Sequence, residues 1–162
     1  MPRKAFRVEE ADALIPALEG ALDALARLRD EVRSRHEKVK ILDVLWGEKL
    51  IEPDNPDHAE LLEHRDAIEA SVREIQRVVA EEISGRGVRF PQGGLEHGLL
   101  DFPTTWEGRW VYLCWRRGEP EVRAWHELGA GYAGRQEITA EQRARMGDEE
   151  GPALPDDSAL DF

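Results

Sequence analysis

Hydrophobic residues recur every seven positions along the first quarter of the chain, which is the pattern of a coiled-coil helix. One set is Ala11, Leu18, Leu25, Val32, Val39 and Trp46, and the intervening set is Leu14, Ala21, Leu28 and Leu42. Arg35 is the one polar interruption of these two sets. The spacing predicts a long helix over residues 9–46. Pro16 lies in its second turn and removes a backbone hydrogen bond, so we expect a kink or a restart there.

A second helical pattern follows a break that contains Pro53 and Pro56. Its apolar stripe is Leu61, Ile68, Val72, Ile75 and Val79, interrupted by Arg65. Gly85 and Gly87 then end the helix. Two consecutive helices with matching stripes and a short connection predict an antiparallel hairpin over residues 9–84.

From residue 87 the pattern changes to short runs of β-branched and aromatic residues separated by glycine and proline turns, at 88–90, 99–102, 110–116 and 122–127. They predict an antiparallel meander of three or four strands over residues 87–128. A tight turn that pairs Arg116 with Glu121 puts Cys114 and His126 on opposite faces, and a slip of one residue reverses this. Both faces are partly apolar, so we expect the hairpin to cover one and a second subunit the other.

The remaining segments complete an α+β fold. Residues 129–138 form a glycine-rich loop, and Thr139 and Gln142 have the spacing of a capping box for a short helix. The acidic segment from Gly147 is predicted to be disordered. We therefore expect a single domain over residues 1–138, followed by a short helix and tail over 139–162.

Charge and composition narrow the classes of partner. The net charge is −12 and 35% of the residues are charged, so a nucleic-acid backbone would be repelled. The sequence has no apolar run long enough for a membrane span or a signal peptide. The single cysteine, Cys114, excludes an intramolecular disulfide and fits a reducing compartment. We expect a cytoplasmic protein.

The motifs of the sheet region resemble a known family. They are Gly98-Leu-Leu-Asp-Phe-Pro103, Val111-Tyr-Leu-Cys-Trp115, Gly118-Glu-Pro120, Trp125-His-Glu127 and Gly131-Tyr-Ala-Gly-Arg135, together with the opening Val8-Glu-Glu-Ala-Asp-Ala-Leu-Ile-Pro16. This set is similar to the prokaryotic domain of unknown function 2203, over roughly residues 6–138. The family usually has Thr or Ser where Val8 stands. The resemblance implies no activity, because the family has no established function.

Four residues of the sheet region have the chemistry of metal ligands: Asp101, Cys114, Glu119 and His126. Carboxylate, thiolate and imidazole together suit a divalent metal such as zinc or iron. The predicted strand pairing separates Cys114 from His126 and leaves Glu119 at a hairpin tip. The alternative interpretation is structural, with Cys114 as a small buried hydrophobic residue.

A small-molecule pocket is a second hypothesis for the same region. Asp101, His126 and Arg135 would line it, Trp115 and Trp125 would wall it, and Glu119 would lie nearby. Arg135 would bind a carboxylate of a ligand or of Asp101, and an internal salt bridge is the favoured interpretation.

The middle of the helical hairpin carries a further group of polar residues. His36 follows Arg35 in the first helix, and His64 lies with Glu60 in the second. His36, His64 and Glu60 are candidate metal ligands, since helix-borne histidine and glutamate build metal sites in bundles. A hydrated polar layer that fixes the register of the hairpin is the favoured alternative.

Two functions follow from these patterns. The favoured one is a homodimeric interaction module with Trp110, Tyr112 and Trp125 as interface anchors and a protein partner for its remaining surface. The alternative is a metal- or small-molecule-binding domain, with or without catalysis.

Overall fold

The computed structural model describes residues 4–91 and 93–152. The chain forms two compact units, one from Met1–Leu22 with Glu82–Phe162 and the other from Asp23–Glu81. Helix α1, Val8–Trp46, begins in the first unit and continues into the second. It contains Pro16 without a break, so the predicted restart does not occur.

The Asp23–Glu81 unit pairs the second part of α1 with helix α2, His58–Arg77. A 3-10 helix, Gly47–Ile51, follows α1, and a π-helix, Val78–Ile83, follows α2. The helices are antiparallel, because Arg35 contacts His64 while Trp46 donates from its indole Nε1 to Asp57 Oδ2 at 2.7 Å. Leu42, Leu50 and Leu61 form the buried cluster near the turn, with Val39 and Trp46 packed against it. The predicted antiparallel hairpin is confirmed.

The first unit contains a four-stranded antiparallel sheet in the order β1-β2-β3-β4. The strands are β1 Leu99–Trp106, β2 Arg109–Arg116, β3 Ala124–Glu127 and β4 Gln136–Glu137. A four-residue helix, α3, Gly94–His97, precedes β1. The predicted meander is confirmed, but the expected strand at residues 88–90 contributes an isolated bridge from Arg89 to Asp101.

The observed register corrects the predicted faces of the sheet. Cys114 pairs with Ala124, and Tyr112 pairs with His126, so Cys114 and His126 lie on the same face. The predicted tight hairpin was wrong because the connection between β2 and β3 spans residues 117–123. The backbone N–H of Glu119 closes a turn onto the carbonyl of Arg116 at 3.0 Å, and the chain then runs on before β3 begins.

Four aromatic side chains of the sheet are buried within one chain. Trp115 and Trp125 lie on one face, Trp110 and Tyr112 on the other, and all four are buried. A second subunit was expected because one aromatic face of the sheet would otherwise be exposed, and the burial of these side chains removes that reason.

The segment after the sheet packs against β1. Helix α4, Ala140–Arg145, begins with the predicted capping box of Thr139 and Gln142. Beyond it, the backbone N–H of Gly147 donates to the carbonyl of Thr105 at 3.0 Å, and Trp110 donates to the carbonyl of Pro152. Gly147 and Pro152, near the start of the tail predicted to be disordered, thus contact the sheet. The rest of that tail, residues 153–162, lies outside the described residues.

Candidate metal centre

Three buried polar side chains meet on one face of the sheet. Asp101 in β1 pairs directly with Cys114 in β2. Cys114 also pairs with Ala124 in β3, and His126 lies two residues after Ala124 on the same strand. Side chains two residues apart on a strand share a face, which is why the three converge. One ligand atom from each side chain lies within 4.8 Å of the other two. All three were predicted as candidate ligands from the sequence, but Cys114 and His126 were predicted to lie on opposite faces of the sheet.

The hydrogen bonds of His126 fix the orientation of its ring. Its Nδ1 lies 2.8 Å from the backbone carbonyl of Glu127, and its Nε2 lies 3.2 Å from Asp101 Oδ1. A carbonyl oxygen only accepts, so Nδ1 carries a proton and donates it. In the neutral ring the Nε2 lone pair then faces Asp101 and Cys114. A backbone acceptor on one ring nitrogen is the usual support of a histidine that binds metal through the other.

The carboxylate of Asp101 is incompletely satisfied. Its Oδ2 is buried and has no hydrogen-bond partner within residues 4–91 and 93–152. Leaving a buried polar atom without a partner costs about 1–3 kcal/mol, and more for a charged group. Such an atom beside an imidazole nitrogen and a thiol is the feature that distinguishes this group from an ordinary buried hydrogen bond.

Burial and mutual contact shift the protonation of the group. Burial lowers the pKa of His126, but the hydrogen bond and the negative charge of Asp101 outweigh it, so the pKa is raised. Burial also raises the pKa of the Cys114 thiol strongly, and the charge of Asp101 adds to this effect. Without a bound cation, Cys114 stays protonated at neutral pH and is a poor nucleophile.

Arg89, which the sequence did not assign to a site, and Tyr112, which it assigned to an interface, support this group. The backbone of Arg89 exchanges two hydrogen bonds of 3.0 Å with Asp101. Arg89 Nη1 also donates to the Tyr112 hydroxyl at 2.6 Å, and the Tyr112 ring centre lies 5.6 Å from that of His126. The sequence feature that could have identified Arg89 is that it is the one charged residue within the strand-like run at 88–90.

Arg135 and Glu119 form a separate ion pair. Arg135 Nη2 donates to Glu119 Oε1 at 2.7 Å and to the carbonyl of Cys114 at 3.2 Å. Glu119 also accepts from the backbone N–H of Arg116. The predicted internal salt bridge of Arg135 is present, but its partner is Glu119 rather than Asp101, so neither side chain joins the buried group.

Trp115 and Trp125 do not wall a pocket around Asp101 and His126. The register places both indoles on the opposite face of the sheet. Trp115 donates from Nε1 to the carbonyl of Glu119 at 2.9 Å. The predicted small-molecule pocket is therefore not assembled from these side chains.

The three candidate metal ligands of the helical hairpin, His36, His64 and Glu60, do not form one group. His64 is buried, accepts from Arg35 Nη1 at 3.1 Å through Nδ1, and approaches Glu60 Oε1 at 3.3 Å through Nε2. Arg35 in turn donates to Glu31, whereas His36 is exposed. Within the described ranges the only group of three or more potential metal ligands is the one on the sheet. The hairpin group agrees with the polar-layer interpretation.

This protein thus combines an antiparallel helical pair with a four-stranded sheet that buries an Asp–Cys–His group. The chain belongs to the family of uncharacterized conserved proteins designated DUF2203, whose model matches residues 4–138. The resemblance found in the motifs is therefore confirmed. No curated protein and no solved structure matches the chain. None of the helices in the described ranges combines the length and apolar character needed to cross a bilayer.

Proposed function

We propose that the protein binds a divalent transition-metal ion, zinc in the first instance, through Asp101, Cys114 and His126. The observation that carries the proposal is the buried Asp101 Oδ2 without a partner, beside an oriented imidazole and a thiol. A cation at this place would satisfy that oxygen and accept the Nε2 lone pair. Carboxylate, thiolate and imidazole are the three ligand types that zinc takes from proteins.

The distances are compatible with a shared ion. Two N or O atoms bound to one zinc at about 2.0–2.1 Å and a tetrahedral angle lie about 3.3 Å apart. His126 Nε2 lies 3.2 Å from Asp101 Oδ1, and Oδ2, the oxygen without a partner, belongs to the same carboxylate. All three ligand atoms lie within 4.8 Å of one another, so binding requires only a modest inward movement of the widest pair.

The burial of the three ligands supports a structural role for the metal. Asp101, Cys114 and His126 are only 1%, 1% and 2% exposed. Structural zinc sites have four protein ligands, and catalytic sites have three with a fourth position for water or substrate. Three ligands leave that fourth position to be filled, and their burial keeps it from open solvent. Because the ligands come from β1, β2 and β3, an ion here would link the three longest strands. Its binding free energy would then contribute directly to folding.

The competing account needs no metal. Asp101 and His126 would form a buried ion pair, and Cys114 would be a small apolar neighbour. The two accounts differ at Cys114: a thiolate ligand is required for tight metal binding but irrelevant to the ion pair.

The test is metal content per chain, measured by elemental analysis of untagged protein prepared without chelators. We expect about one zinc per chain in the wild type and loss of most of it in Cys114→Ser and Asp101→Asn. His64→Gln is the matched control, because it removes another buried histidine and should leave the metal content unchanged. Loading with Co²⁺ should add a thiolate-to-metal absorption band that Cys114→Ser lacks.

Two results would contradict the proposal. One is a protein without stoichiometric metal that also fails to bind added Zn²⁺ or Co²⁺. The other is a Cys114→Ser variant that folds, by circular dichroism, and retains the full metal content and the cobalt spectrum. Either result would favour the metal-free ion pair.

Self-association through the aromatic sheet has weaker support than metal binding. Its predicted anchors, Trp110, Tyr112 and Trp125, are buried within one chain, so they are not available to a partner without rearrangement. An interaction function for this protein requires a different surface.

A further inference from the structure

Two arginine side chains approach the ring and hydroxyl group of Tyr132 near the end of β2. Arg116 is the last residue of β2 and is exposed, and its Nη1 donates to the Tyr132 hydroxyl oxygen at 3.1 Å. The guanidinium carbons of Arg116 and Arg135 lie 5.8 Å and 5.0 Å from the centre of the Tyr132 ring. Tyr132 itself is 43% exposed. We refer to Arg116, Tyr132 and Arg135 as the arginine–tyrosine cluster.

The hydrogen-bonding groups that the arginine–tyrosine cluster offers to a ligand are mainly donors. The Tyr132 oxygen accepts from Arg116, and the hydroxyl proton has no acceptor within residues 4–91 and 93–152. Arg116 Nε and Nη2 likewise have no acceptor within those ranges. A guanidinium group has five N–H donors and no acceptor. A ligand at this place would therefore meet one O–H group and a fork of N–H groups, and it must supply the acceptors.

The positive charge of the arginine–tyrosine cluster is only partly compensated. Glu119 accepts from Arg135 Nη2 at 2.7 Å, and no other acidic residue of the described ranges forms an ion pair with Arg116 or Arg135. Two guanidinium groups and one carboxylate leave one positive charge. The hydrogen bond from Arg116, together with the proximity of Arg135, lowers the pKa of the Tyr132 hydroxyl. Nearby positive charge has this effect because it favours a negative charge at the same place.

Arg135 is held in place by the end of β2 and the loop that follows it. Its side chain is only 16% exposed, and Nη2 donates to the carbonyl of Cys114 at 3.2 Å as well as to Glu119. The carboxylate of Glu119 in turn accepts from the backbone N–H of Arg116 at 2.6 Å. One cation beside Tyr132 is therefore fixed before any ligand arrives, which lowers the entropic cost of binding.

We propose that the arginine–tyrosine cluster binds the carboxylate group of a small organic acid. Nε and Nη2 of Arg116 would form the planar fork that matches the two oxygens of a carboxylate. The Tyr132 hydroxyl would donate a third hydrogen bond, and Arg135 would contribute its charge. A carboxylate carries one negative charge, which equals the charge that the cluster leaves uncompensated, whereas a phosphate monoester carries about two. This site needs no metal ion, so it stands apart from the metal centre.

The test is an NMR titration of the full chain with acetate at constant ionic strength, followed at the backbone signal of Tyr132. We expect a saturable shift with a dissociation constant on the order of 10 mM. Arg116→Gln should weaken binding at least fivefold, and Arg116→Lys should also weaken it because a lysine keeps the charge but loses the fork. Arg123→Gln is the matched control: Arg123 is exposed and lies 3.9 Å from Glu121, so acetate binding should stay unchanged.

The ring signals of Tyr132 supply a second readout, since they report the pKa of its hydroxyl. Acetate should raise that pKa in the wild type, because a bound anion opposes a second negative charge, and Arg116→Gln should remove most of this effect. Circular dichroism checks that each variant is folded. The proposal is overturned if the wild type shows no saturable shift up to about 200 mM acetate, or if Arg123→Gln weakens binding as much as Arg116→Gln. Inorganic phosphate that binds at least tenfold more tightly than acetate at pH 8 would overturn the assignment to a carboxylate.

Discussion

Replacement of His126 by alanine tests the buried group most directly. His126 and Asp101 are both almost fully buried and lie 3.2 Å apart. The substitution removes the partner of Asp101 Oδ1, while Oδ2 already has no hydrogen-bond partner within the described ranges. The variant therefore leaves an unpaired carboxylate inside the sheet and also opens a cavity the size of an imidazole.

The expected loss of stability follows from the burial. Removing one member of a buried ion pair costs about 3–5 kcal/mol, because the other charge remains buried without compensation. The total unfolding free energy of a domain is typically about 5–15 kcal/mol. The variant should therefore lose a large fraction of its stability in the absence of metal. Loss of a bound ion would enlarge the difference in metal-loaded protein.

The assay is urea unfolding followed by tryptophan fluorescence, since Trp110, Trp115 and Trp125 report on the sheet. His97→Ala is the matched control, because His97 is exposed and its replacement should change the unfolding free energy by no more than about 0.5 kcal/mol. Adding Asp101→Asn to His126→Ala removes the orphaned charge and should recover part of the loss.

The reasoning would be refuted by a His126→Ala variant that loses less than about 1 kcal/mol, a value expected of an ordinary substitution. It would also be refuted if Asp101→Asn lowered the unfolding free energy of the His126→Ala variant by as much as it lowers that of the wild type. That result would show that the two side chains act independently.

Further predictions concern protons, metal exchange and the last helix. In metal-free protein the pKa of His126 is raised above 6.5. The stability it contributes relative to His126→Gln is therefore full below about pH 6.5 and lost as pH rises through the folded-state value. Denaturation from pH 5 to 9 should show this slope, and zinc-loaded protein should show the opposite slope because protons compete with the metal. A chelator should remove the proposed metal only as fast as the protein unfolds. Stopped-flow mixing with a zinc indicator measures this rate, and rapid removal from native protein would contradict a closed site. Thr139→Ala should cost about 1 kcal/mol in thermal denaturation, because it removes the cap that bonds Gln142, whereas Thr139→Ser should be nearly neutral.

Local periodicity was sufficient to predict most of the architecture. The heptad spacing of α1 and the prolines after it determine where the first helix ends, because both act within a few residues. The run of β-branched and aromatic residues at 110–116 likewise identifies β2. These features depend only on residues that are close together along the chain, so they can be predicted from a single sequence.

The convergence of the candidate ligands could not be predicted in the same way. Whether Cys114 and His126 share a face depends on the parity of the β2–β3 register, and that depends on the length of the connection. Residues 117–119 have the sequence of a tight turn, but the loop runs on to Arg123 before β3 begins. A difference of one residue reverses the face. The partner of Arg135 was also not predicted: its guanidinium binds Glu119 at 2.7 Å rather than Asp101.

The protonation of Cys114 links the site to the folding of the chain. Burial and the charge of Asp101 hold the pKa of the thiol far above its ordinary value, so the folded metal-free protein keeps the proton that a metal must displace. In the unfolded chain the thiol ionises more readily and the ligands are accessible to solvent. Binding of the proposed metal is therefore opposed by a proton in the folded state and by chain entropy in the unfolded state.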